Sequence, residues 1–100
     1  MNGSEENSNG EEGNIPVERV QLGVRMEKRM VKVLKGLAEY HDISLGDLLE
    51  GIVLHAFENM TPFGEETLQR IAQLKEVYGM NYGVSASHRF SEQKQGIDET

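Results

Sequence analysis

From Arg19 to Met26 the chain alternates strictly between apolar and polar positions. Val20, Leu22, Val24 and Met26 fall on one face; Arg19, Gln21, Gly23 and Arg25 fall on the other. A period of two is the pattern of a half-buried β-strand. No other stretch carries it convincingly. A lone strand leaves its backbone N–H and C=O groups unpaired and its apolar face uncovered. The simplest completion is a second copy of the same strand, paired antiparallel across a two-fold axis. The pattern therefore predicts a homodimer with Arg19, Gln21 and Arg25 in a row on the outer face of a two-stranded ribbon. Such a ribbon fits the major groove of DNA.

After Met26 the period turns helical. Met30, Leu34, Leu37, Ala38 and His41 share one stripe, with Val33 beside them, and Lys28, Lys32, Lys35 and Glu39 take the opposite face. This predicts a first helix over about Glu27–His41. Gly36 inside it costs about 1 kcal/mol relative to Ala. His41-Asp42-Ile43-Ser44 reads as a turn, with Ser44 as N-cap and Asp47 in the first turn of the next helix. That second helix spans about Leu45–Asn59. Leu45, Leu48, Leu49, Ile52, Val53, Ala56, Phe57 and Met60 form the most regular apolar series in the chain, while Leu54 lies off the stripe. Thr61-Pro62-Phe63-Gly64 is a breaker. Leu68, Ile71, Ala72, Lys75 and Tyr78 then mark a third helix over about Glu65–Tyr78, expected to cover Leu54 and the outer side of the second helix.

Four segments follow. Residues 1–14 are, after Met1, only Asn, Gly, Ser and Glu, and are expected to be a disordered acidic arm. Ile15-Pro16 marks the boundary. Residues 17–60 form the dimerisation and DNA-binding unit, residues 61–84 a helical extension, and residues 85–100 a flexible polar tail. A unit the size of residues 17–60 is too small to hold a core without staples or a partner, which argues again for a dimer.

Charge sharpens this picture. The net charge of the 100 residues is −7, yet the segment 17–36 carries +4, and residues 1–14 carry −4. The local field at the expected ribbon is positive, and it is the local field that meets phosphate. The acidic arm would then either solubilise the chain or compete with DNA for the ribbon. Cysteine is absent, so there is no disulfide framework and no thiolate site. His41, His55 and His88 fit no metal-ligand spacing, so no metal or cofactor is expected. Ser85, Ser87 and His88 sit in the tail without an oxyanion-hole motif, and no enzymatic activity is expected. No apolar run approaches the roughly 20 residues of a membrane span. A cytoplasmic location is the default expectation.

Val20-Gln21-Leu22-Gly23-Val24-Arg25-Met26, Leu37-Ala38-Glu39, Asp42-Ile43-Ser44 and Leu48-Leu49 together resemble the ribbon-helix-helix repressors, the class of the Arc and methionine repressors, over about residues 18–60. The resemblance implies a mainly α ribbon-helix-helix fold: one N-terminal strand pairs antiparallel with its dimer mate, followed by two core helices, here with an appended C-terminal helix. It implies base contacts from Gln21, Gly23 and Arg25, beside Arg19. It also implies a phosphate at the start of the second helix, at Ser44, Leu45 and Gly46. Lys28 and Arg29 are placed to hold flanking phosphates. The expected dimer core is Val20, Leu22, Val24, Leu34, Leu37, Leu48, Leu49, Ile52, Val53 and Phe57. The sequence departs from the pattern at Gly23, which has no side chain at the central reading position, at Glu27, where Pro is frequent, and at Gly46, where Ser is frequent.

The expected function is a homodimeric, sequence-specific DNA-binding transcriptional regulator, a repressor, that inserts a two-stranded ribbon into the major groove. The rival expectation is a protein-interaction module, such as an antitoxin or adaptor, that binds a protein partner through the C-terminal helix and tail.

Overall fold

The computed structural model describes residues 13–93. Among them are three α-helices, α1 (Lys28–His41), α2 (Leu45–Phe57) and α3 (Glu65–Tyr78), followed by a short 3-10 turn at Val84–Ala86. Most of the expected acidic arm, residues 1–12, and the end of the expected tail, residues 94–100, lie outside the described residues.

Each helix starts and stops for a local reason. Before α1, Glu27 is extended and its carboxylate accepts from the backbone N–H of Arg29 and of Met30, at 3.1 Å each. Ser44 caps α2, its Oγ accepting from Asp47 N at 3.0 Å. Gly64 precedes α3 without a side-chain cap, and Glu65 and Glu66 in the first turn complement the helix dipole instead. All three helices end alike. Asp42, Asn59 and Gly79 take left-handed backbone angles, with φ of 58°, 57° and 69°. The next amide then reaches back, Ile43 N to Ala38 O, Met60 N to His55 O and Met80 N to Lys75 O. This is the Schellman arrangement, which satisfies carbonyls that the helix end would otherwise leave open.

α1 is the central element. It packs against both α3 and α2. Leu37, Ala38 and Leu48 form the buried core, with Leu34, Leu45, Ile52, Phe63, Ile71 and Leu74 packed around them. Gly36 explains itself here: a Cβ on it would lie 3.0 Å from Leu74 Cδ2, so its bare backbone lets α3 approach α1 closely. The expectation for α3 is corrected. It lies on α1 rather than over α2, and Leu54 stays exposed. Ile71 and Leu74 complement α1 because they share one helical face, at a spacing of three, and pack on the cluster of Leu37, Ala38 and Leu48.

The expected fold class is also corrected. No described residue is in a strand, and the ribbon-helix-helix architecture, with its N-terminal strand paired to a dimer mate, gives way to three helices preceded by an irregular arm. The alternation of residues 19–26 supplies an apolar face but no pairing partner, and a strand exists through its ladder of hydrogen bonds. Without one, the apolar row stays open: Val20 is 84% and Leu22 78% exposed.

Candidate nucleic-acid interface

The arm and the start of α1 bring together most of the expected DNA-contacting side chains. Gln21, Gly23, Arg25 and Lys28 are exposed, and nothing stands within 4 Å of a Cβ placed on Gly23. Lys28, Lys32 and Lys35 recur along α1 at helical spacing and are exposed, with Lys32 Nζ 5.7 Å from the centre of the Tyr78 ring.

The arginines are not bare charges. At the far end of the arm, Arg19 donates through Nε and Nη2 to the two oxygens of Glu50, at 2.9 and 2.8 Å. That fork-to-fork pair fixes the arm's beginning to the second turn of α2. It holds the Glu50 carboxyl below its usual range, because the carboxylate accepts two charged hydrogen bonds. At the near end, Arg25 pairs with Glu92. Arg29 is shared out: its Nε donates to Glu27 at 3.0 Å, its Nη1 to the Gly79 carbonyl at 3.0 Å, and its guanidinium lies 5.4 Å from the Tyr82 ring centre.

Glu27 is the hub of this junction. Besides the two backbone amides and Arg29, it accepts from the Tyr82 hydroxyl. Burial pushes its carboxyl upward, but the hydrogen bonds from Tyr82, Arg29 and the helix start outweigh it and hold the pKa at about 2. Tyr82 moves the other way. Partial burial and its bond to an anionic Glu27 push its hydroxyl up to about 12. Tyr82 is therefore a neutral donor and Glu27 an anion at neutral pH.

The residues expected to meet phosphate at α2 are held apart from this junction. α1 is about 20 Å long, at 1.5 Å per residue. Ser44, Leu45 and Gly46 follow its far end, with Leu45 packed on the core, Gly46 exposed and the Ser44 hydroxyl used on Asp47 N. Asp47 in that turn opposes an anion there. The arm spans the gap, with Arg25 near the start of α1 and Arg19 beside Glu50.

The expected dimer-core residues divide into two groups. Leu37 and Leu48 are buried within one chain, and Leu34 and Ile52 pack on them. Val20, Leu22 and Val24 on the arm and Val53 and Phe57 on α2 are exposed, and Leu49 is half-buried. On a helical projection of about 100° per residue, Leu45, Leu48 and Ile52 face the core. The apolar arc then continues through the half-buried Leu49 to Val53 and Phe57, which the described residues leave exposed.

Sequence reasoning missed the partners Glu50, Tyr82, Phe90 and Glu92. No local pattern marks them: Glu50, Tyr82 and Glu92 act on residues 31 or more positions away, and Phe90 only joins Tyr82. Among the described residues no group of three or more His, Asp or Glu side chains is placed to hold a metal ion. No described helix is long and apolar enough to cross a membrane. No protein-family model, curated protein or solved structure matches the chain.

Proposed function

We propose that this chain is a homodimeric DNA-binding transcriptional regulator of the cytoplasm, which contacts DNA through the arm 19–25 and the first turn of α1. The observation that carries this reading is the junction itself: Arg25, Lys28 and Arg29 converge there, at the end of an arm that also presents Gln21. Arg bonds bidentately to guanine and Gln to adenine, each pair discriminating by about 1–3 kcal/mol. Lys28 and Arg29 hold the flanking phosphates and set the register. A second copy doubles these contacts about a two-fold axis. The exposed Val53 and Phe57 and the half-buried Leu49 on α2, with Val20, Leu22 and Val24 on the arm, give that copy an apolar surface to bury.

The rival reading, a protein-interaction module that uses α3 and the tail, has less support from α3. Ile71 and Leu74 of α3 are committed to the core. The two most exposed of its large apolar residues, Leu68 and Val77, are nine positions apart and so point to opposite sides of the helix.

The test is fluorescence anisotropy of labelled duplexes at two salt concentrations, with wild type and a Gln21→Ala/Arg25→Ala variant. Wild type binds with a salt-dependent affinity, and the still-folded double variant loses about ten-fold or more, by the worth of two side-chain contacts to bases. A folded protein that binds no duplex, at either salt concentration, refutes the reading.

A further inference from the structure

The segment 80–93 plays no part in the proposed contact, yet it converges on the same groups. It leaves α3 at Gly79, whose carbonyl accepts from Arg29. Asn81 Oδ1 meets the same nitrogen at 3.4 Å. Tyr82 then lays its ring beside the Arg29 guanidinium and its hydroxyl on Glu27. The 3-10 turn and a positive φ of 65° at His88 bring the chain around. Phe90 comes back edge-on to Tyr82, with ring centres 5.1 Å apart, and Glu92 reaches Arg25.

Both guanidinium groups of the junction thus face groups supplied by this strap. The Glu92 carboxylate stands at Arg25, and the Asn81 amide oxygen and the Tyr82 ring stand at Arg29, beside the Gly79 carbonyl from which the strap departs. The oxygens among them are the acceptors that phosphate or a guanine edge would otherwise provide. A guanidinium fork engaged on one set is not free for a bidentate grip on another. We propose that residues 80–93 form an autoinhibitory strap, which occupies Arg25 and Arg29 in the free protein and lifts when a polyanion takes them. This rests on the reading of the junction as a DNA contact.

The two ends of the strap are held unequally. The Arg25 and Glu92 side chains are 82% and 65% exposed, so their attraction is screened and weak. Tyr82, Glu27 and Arg29 form a half-buried cluster with several mutual bonds. The strap therefore opens from Glu92 inward, with Tyr82 as its anchor.

The test compares wild type with Glu92→Gln, and with Glu65→Gln as a control of equal charge change away from the strap. Binding of a labelled random duplex at low salt is measured by anisotropy. Hydrogen exchange over residues 82–93 is followed with duplex and, separately, with inorganic tripolyphosphate. Glu92→Gln binds roughly three-fold tighter than Glu65→Gln, the scale of one exposed ion pair. Exchange in the strap quickens when either polyanion is added. Equal affinities of the two variants, or strap exchange that is unchanged or slowed, overturn the proposal. If no variant binds duplex, the DNA reading fails, and the tripolyphosphate arm then decides the strap: quickened exchange supports it and unchanged exchange rejects it.

Discussion

Glu27 shows how much one side chain can organise. It caps α1, orients Arg29 and anchors Tyr82 from the other end of the described chain. Replacing it with Ala removes the cap and leaves the Tyr82 hydroxyl without its acceptor, for a loss of about 1–2 kcal/mol in urea unfolding at neutral pH. Its pH dependence has a definite sign. The folded-state pKa, about 2, lies below the ordinary glutamate value of 4.5. Its stabilisation is therefore fully present above the unfolded pKa and is lost as pH falls through the folded one. The stability gap between wild type and Glu27→Gln narrows as pH falls from about 5 towards about 2. A gap that stays constant with pH would assign the effect to shape rather than charge. As a cap, Glu27 was hard to read in the sequence, because the usual cap residues are Ser, Thr, Asp and Asn, and its partner Tyr82 lies far along the chain.

Glycines decide two matters at the scale of the helices. Gly51 lies within α2 with nothing within 4 Å of a Cβ placed on it, whereas such an atom on Gly36 meets Leu74. Gly51→Ala should raise stability by about 0.5–1 kcal/mol, while Gly36→Leu should lower it by about 1–3 kcal/mol by forcing α1 and α3 apart. Urea midpoints of the two variants check both signs. The leucines separate in the same way. Leu37 is 2% exposed at the centre of the core, and Leu37→Ala costs about 2–5 kcal/mol. Leu54 is 65% exposed, and Leu54→Ala stays within about 0.5 kcal/mol. A large loss at Leu54 would mean that a partner covers it. The three helices were legible in the sequence: the expected third helix coincides with α3, the first begins one residue later, and the second ends two residues earlier. The expected strand was a misreading, because alternation describes a face and not the segment that must lie beside it.

For the whole molecule, the question is what covers the apolar surface that one chain leaves open. Phe57 is 80% exposed, and the arm adds Val20, Leu22 and Val24. Burying such a side chain contributes roughly 1.5–3 kcal/mol, which is large beside the stability of a small domain. Sedimentation should therefore find a dimer in wild type and a shift to monomer for Phe57→Lys. A monomeric wild type at high protein concentration would remove the second copy from the proposed function. The sequence's own argument for a partner, that residues 17–60 are too small a unit, is met in part within the chain. α3 contributes Ile71 and Leu74, and Phe63 adds to them.

The sequence by itself determined the helices, the Ser44 cap, the break at Thr61–Gly64 and the concentration of basic residues between Arg19 and Lys35. These depend on interactions that reach no further than four residues, through periodicity, capping and backbone preference. Only the tertiary structure decided that α3 lies on α1, that Arg19 is held by Glu50, and that the strap closes on Arg25 and Arg29. Those contacts join residues 31 to 67 positions apart. Any of several carboxylates or apolar faces would suit each such group chemically, so the packing of the core selects among them.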